Sequence, residues 1–312
     1  MATASDNWPT HAALCQAMDQ HGFLFRDACA HALRESRSTA GWHVIDCEYP
    51  VESAAGDTRI DILLSLAHTH HLLNAYAVVE CKRVDPLRFC WVFGSAESSD
   101  RLPALMAVDW DDPLGTRRSA IVEWDWPSNC VPSVSVSDWW LNVARDAKGN
   151  DKERTGTSPQ PIEEALGQLA RGVAGFATQK CYSRTLPVGL ESSDRAVLIP
   201  VILTTARLYA ATYSVGDVDV TSGRLAEQLV SFGSSRGKVD ELPWVALNYP
   251  LGTRLTPEPL KDSQVALGPE RLTCYVVNST HLTDFFQLAA EKLGDEIRLL
   301  EEDNEEDEDA TV

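Results

Sequence analysis

The chain has 312 residues, of which 44% are apolar and 23% charged, and it carries a formal net charge of -19 at pH 7. Those fractions are ordinary for a soluble globular protein with a sizeable core, and no apolar run reaches the roughly 18 residues of a membrane span. The negative charge argues against a partner rich in phosphate, which wants cations. It is unevenly placed, however: residues Asp295 to Val312 hold ten acids and one base, leaving a net -10 on everything before them.

Met1 to Asp19 has no basic segment followed by an apolar stretch, so no signal peptide is expected and the chain reads as cytoplasmic. The eight cysteines (15, 29, 47, 81, 90, 130, 181 and 274) include no CxxC pair. A zinc ribbon is therefore not expected, and the thiols read as reduced, small and mostly buried.

In chain order, residues 11–37 have apolar positions near helical period, and Gly41 ends that segment. Trp42 to Val51 predicts a strand, Gly56-Asp57 a turn, Ile60 to Leu66 a second strand and Tyr76 to Cys81 a third. The nearly continuous apolar character of the third suggests cover on both faces. Residues 91–145 hold six of the nine tryptophans, at 91, 110, 124, 126, 139 and 140. This stretch reads as an insertion that fills a core or meets a protein partner, more than as a platform for stacking on bases. Residues 146–160 read as an exposed loop. Pro161 opens a helix, with Glu163 and Glu164 in its first turn, that runs to about Phe176. Further strands are expected at Val197–Leu203, Leu208–Tyr213, Trp244–Leu247 and Cys274–Val277, and helices at 223–232 and 280–300. Residues 301–312 form an acidic tail expected to be solvated. Helices and strands interleave, which makes the class α/β.

The chemistry concentrates in Arg59-Ile-Asp-Ile-Leu63 and Val78-Val-Glu-Cys-Lys-Arg83. Strands joined by a short loop pair antiparallel. With the tip between His70 and His71, Asp61 faces Glu80 and Arg59 faces Lys82. Two carboxylates opposed on apolar strands repel each other and resist burial. Either one is protonated or a cation lies between them, and a hard ion such as Mg²⁺ suits oxygen ligands. Lys82 lies two residues beyond Glu80, on the same face of its strand. The backbone carbonyl of Cys81 is a further candidate ligand. Such a set is suited to phosphodiester hydrolysis.

The pattern resembles the PD-(D/E)XK, or restriction-endonuclease-like, nuclease superfamily. Asp61 matches the family's first acid and Glu80-Cys81-Lys82 its (D/E)-X-K motif. Glu35 matches a glutamate often found on the preceding helix. The resemblance spans residues 24–84 and implies a mixed central sheet flanked by helices, in a single nuclease-like domain over residues 1–300. Residues 91–160 would be the insertion and 161–300 the rest of the core. The activity it implies is Mg²⁺-dependent cleavage of nucleic acid, DNA more than RNA, with Mn²⁺ able to substitute. Defence, repair and mobile-element processing are all compatible contexts, as is a homodimer. Several branches carry Q-x-x-x-Y on a later helix. Gln168 matches the glutamine, but Gly172 stands where the tyrosine would be. No proline precedes Asp61. The alternative is a module that keeps the fold for binding or assembly without catalysis.

Other features read more plainly. Asp46 and Glu48 share a face of the first strand and are accessory-acid candidates. His68, His70 and His71 read as exposed loop residues. Gly233-Ser-Ser-Arg-Gly237 fits G-x-S-x-G, and Asp240 and His281 follow in the order of a hydrolase triad, but the strand that a nucleophile elbow needs is not expected before it. Arg117, Arg118, Arg145, Lys148, Lys152 and Arg154 are too dispersed to form a patch.

Overall fold

The computed structural model describes residues 10–20, 22–53, 56–66, 73–87, 89–95, 102–111, 117–126, 139–145, 151–153, 161–182, 195–232, 241–250 and 271–294. Among them the chain is mixed α/β, with a mixed central sheet flanked by helices. The expected helix over 11–37 is divided into α1 (His11–Gln20), α2 (Gly22–Glu35) and the short α3 (Arg37–Ala40). Gly41 ends α3 in the left-handed conformation (φ 71°), and its N–H caps the Arg37 carbonyl. That conformation suits glycine because it has no Cβ.

The central sheet begins with an antiparallel meander of β1 (Trp42–Ser53), β2 (Gly56–Leu66) and β3 (Leu73–Lys82). β9 (Arg195–Thr204) lies parallel to β3 along its whole length. On its other side β9 changes partner. Ala196 to Leu198 pairs with β5 (Leu102–Asp111), and Val201 to Thr204 pairs with β13 (Arg271–Asn278). Pro200, which has no N–H to give a ladder, falls in the gap between these two partners. β6 (Arg117–Trp126) completes a hairpin with β5, and β12 (Trp244–Pro250) pairs with β13.

Alternation along the central strands feeds two apolar layers. On one side Trp42, Ala77, Val79 and Val201 pack with Cys29 and Leu33 of α2. Phe285, Phe286 and Leu293, on a helix at residues 282–294 (α5), join the same layer. The Trp42 indole N–H donates to the Phe286 carbonyl at 2.8 Å, tying β1 to α5. On the other side Leu63, Val78, Leu198 and Ile202 pack against α4 (Pro161–Tyr182) through Ile162, Leu166, Leu169 and Phe176. β3 is thus covered on both faces, as its composition predicts.

A second sheet holds β4 (Phe89–Ser95), β7 (Trp139–Arg145), β8 (Asp151–Glu153), β10 (Arg207–Thr212) and β11 (Ser231–Phe232), in the order β11-β10-β4-β7-β8. β4 and β10 are parallel, and each follows closely on a parallel strand of the first sheet, β3 and β9. The two chain reversals are tied together: the Thr205 hydroxyl accepts from the Val84 N–H at 2.8 Å and donates to the Val84 carbonyl, while Asn278 donates its amide N–H to the Ala206 carbonyl at 2.8 Å. Trp91 is fully buried on β4, and Trp140 packs beside Tyr249. These two tryptophans build the interior. The side chains of Trp110, Trp124, Trp126 and Trp139 lie outside the described part.

Two expectations need correction. Residues 223–232 are not a helix: Gly223 closes a turn, Glu227–Leu229 is a 3-10 turn, and Phe232 pairs with Ala211. Leu229 remains 42% exposed while Leu225, Val230 and Phe232 are half-buried, and edge pairing prevailed over local propensity. Within 146–160, Asp151–Glu153 forms a strand. The histidines at 68, 70 and 71, the G-x-S-x-G segment with Asp240, and the acidic tail lie outside the described residues. Among the described residues no helix is long and apolar enough to cross a membrane, and cysteines 15, 29, 47, 81, 90 and 274 are free thiols.

Candidate functional site

The β2–β3 ladder has the register expected from the sequence, with Leu64 opposite Ala77, Leu63 opposite Val78 and Ile62 opposite Val79. The ladder ends there, one position short of Asp61 and Glu80, and does not extend to Arg59 and Lys82. In its place the Asp61 carboxylate accepts the Cys81 N–H at 2.8 Å. One side chain thus satisfies a donor that the departing strand no longer meets.

β1 and β2 bend at the same level. Cys47 is opposite Ile62 and Tyr49 opposite Ile60, so Glu48 stands beside Asp61. Glu48 has φ 57°, among the described residues the one non-glycine with positive φ. That conformation costs on the order of 1 kcal/mol for an L residue. Its effect is to break the alternation. Cys47 and Ile62 join the α2 side, whereas Tyr49 and Ile60, two residues away, join the α4 side. Both acids therefore sit where the sheet's faces exchange. Strain of this kind gathers at functional sites.

The Glu48 carboxylate is held by Arg26 of α2 and by Arg59, the latter at 3.0 Å. Arg26 also pairs with Asp27 at 2.8 Å. The charges acting most strongly on Asp61 are those of Arg26, Glu48 and Lys82. Asp46 has a local role, its carboxylate accepting the Cys47 N–H at 2.8 Å beside a bulge. Glu35 is exposed at the end of α2 and is not among those charges. The acid next to Asp61 is Glu48, at the level of the strand kink.

Glu80 is buried, with 7% of its surface exposed. Burial, and then the charge of Asp61, push its carboxyl up to about 9; Lys82 and Arg171 oppose that rise and Glu164 adds to it. Burial also raises Asp61, against the lowering effect of the Cys81 N–H. Without another cation, then, Glu80 carries a proton near neutrality. The Cys81 side chain belongs to the opposite layer, which it shares with Cys29, and burial pushes its thiol well up.

Lys82, at the last position of β3, forms an ion pair with Glu164 of α4, Nζ to Oε2 2.7 Å. Side-chain exposures of 21% and 55% limit the contribution of this pair to folding to about 0–1 kcal/mol. Gln168 follows one turn later and is half-buried, and Arg171 another turn on acts on Glu80. Positions 164, 168 and 171 share one face of the helix. Sequence reasoning took Glu164 only as an acid suited to a helix N-terminus and did not single out Arg171. Counting one turn back and one forward from Gln168 is the signal that would have found both. Gly172 explains the missing tyrosine: a Cβ there would stand 3.2 Å from Ile60 Cγ1, so α4 lies too close to the sheet for a ring.

The donor set fits a hard divalent ion in its chemistry. It offers two neighbouring carboxylates near the carboxyl end of β3, both raised first of all by burial. Among the described residues no group of three or more His, Cys, Asp or Glu side chains forms a ready-made metal cluster. Two carboxylates and a backbone carbonyl need no third such side chain. No family model matches the sequence, and neither curated proteins nor solved structures return a match.

Proposed function

We propose that the chain is a metal-dependent nuclease with a restriction-endonuclease-like core. One observation carries the reading. Glu80 is buried beside Asp61 where the β2–β3 ladder ends, with Lys82 two residues on, and burial keeps Glu80 protonated despite the charges of Lys82 and Arg171. Protein interiors avoid such an arrangement unless something fills it. The mixed sheet, and α4 covering the Glu80 face, support the same reading.

In this proposal Asp61, Glu80 and the Cys81 carbonyl hold Mg²⁺ or Mn²⁺. When bound, that ion would lower the pKa of a water and offset charge on the phosphoryl oxygens. The Cys81 N–H orients the Asp61 carboxylate by binding one of its oxygens. Burial of Glu80 excludes water and strengthens the local field. The Lys82 ammonium stabilises negative charge developing on the phosphate or orients the attacking water. Arg171 adds positive charge on the α4 side. The substrate is nucleic acid, DNA rather than RNA by analogy with the family alone. A protein partner through the tryptophan-rich segment, and a homodimer, remain compatible with this role.

The test is incubation of the purified protein with plasmid and single-stranded DNA, and with RNA, in Mg²⁺, Mn²⁺ or chelator. Expected is cleavage that needs the ion, is abolished in Asp61→Ala and falls about a hundredfold or more in Lys82→Ala. Nucleic-acid binding without cleavage, unchanged in both variants, would instead favour a binding module.

A further inference from the structure

We propose that Glu164 is the positioning residue for Lys82, fixing where the ammonium acts; this rests on the nuclease reading above. A lysine ammonium on a four-carbon arm is poorly located by its own backbone. Here both ends of the contact have rigid bases. Lys82 is paired through β3 to Thr204 of β9. Glu164 is flanked on α4 by Ile162, Ala165 and Leu166, all fully buried, so the core sets its place. The flexible arms then meet at 2.7 Å across 82 positions of sequence.

The competing partner explains why a positioning group is needed. Glu80 lies two residues from Lys82 on the same strand face. Its carboxyl oxygens are an alternative acceptor for the ammonium, and they are the ones that a cation requires. Glu164 supplies an acceptor on the other side, in more open surroundings, with 55% of its side chain exposed. Lys82 is thereby kept beside the carboxylate pair without occupying it. An ordinary surface ion pair would be indifferent to catalysis, and that difference is measurable.

The experiment compares wild type with Glu164→Ala, Glu164→Asp, Lys82→Ala and the Lys82→Ala/Glu164→Ala double variant, on one DNA substrate with Mg²⁺. Expected is a fall in kcat of about ten- to a hundredfold for Glu164→Ala with KM within about twofold, because misplacement of a catalytic group costs that much. Glu164→Asp, which keeps the charge, should recover part of the rate. The double variant should be no slower than Lys82→Ala, since two residues acting as a unit are not additive. Full activity in Glu164→Ala, or losses that multiply in the double variant, would overturn the proposal while leaving the nuclease reading intact, provided that Asp61→Ala is inactive. Absence of cleavage by the wild type overturns both.

Discussion

Burial holds Glu80 near 9, well above its ordinary 4.5, and the direction of that shift fixes how stability responds to pH. A folded-state value above the unfolded one means that folding favours the protonated carboxyl. The resulting stabilisation is fully present below about pH 4.5 and is lost as pH rises toward 9. In chelator the unfolding free energy should therefore fall by on the order of 3 kcal/mol between pH 5 and 7. Glu80→Gln, which cannot ionise, should flatten that slope. Millimolar Mg²⁺ should flatten it too in wild type, because a cation replaces the proton between the carboxylates. Urea titrations across this range decide the matter, and an unchanged slope in Glu80→Gln would remove Glu80 as its source. The same residues show what a sequence makes legible at this scale. Asp61 opposite Glu80 follows from the symmetry of a hairpin and the two-residue period of strands. The Lys82–Glu164 contact does not, because it depends on where a helix 82 positions away docks.

α4 is placed by small residues as much as by large ones. A Cβ on Gly175 would stand 2.9 Å from the Glu52 carbonyl oxygen and 3.0 Å from Val51, whereas one on Gly167 would meet nothing nearer than the Arg171 guanidinium at 3.7 Å. Replacing glycine by alanine inside a helix ordinarily gains about 1 kcal/mol. That gain should appear in Gly167→Ala. In Gly175→Ala the clash is with backbone, which cannot move aside, and overpacking of about 1–3 kcal/mol should outweigh the gain. Opposite shifts of the denaturation midpoint in the two variants would verify this; equal shifts would mean that α4 is not held against β1 as described. Element types were readable where burial imposes a period: the β1–β2–β3 meander, α4 and β9. They were not readable at 223–232, where pairing of Ser231 and Phe232 with β10 prevailed over a local helix. The second sheet also escaped reading, because its parallel β4–β10 pair joins segments far apart in the chain. Glu48 was legible as an acid near the site, but its left-handed backbone was not, since that conformation is imposed by the kink shared with β2.

Over the whole molecule, the proposed activity would require a chain of net charge -19 to hold a polyanion with few cations. The basic residues described around the carboxylates are Arg26, Arg59, Lys82 and Arg171, and the first three are already paired with Asp27, Glu48 or Glu164. Phosphate contact requires either that these acids yield their partners or that the ion carries part of the charge. Each phosphate neutralised on duplex DNA contributes about -0.9 to the slope of log affinity against log salt. Four such contacts set an upper magnitude of about 3.6, and the existing ion pairs should bring it lower. Measured with Ca²⁺ in place of Mg²⁺ to hold substrate uncleaved, binding should therefore be weak, shallow in its salt dependence and strongly dependent on the divalent ion. Arg171→Ala should flatten the slope by about one further unit. A slope steeper than about -3.6, or affinity indifferent to the divalent ion, would place the main nucleic-acid contact elsewhere on the chain. The carboxylate pair would then have to be explained without a phosphate beside it.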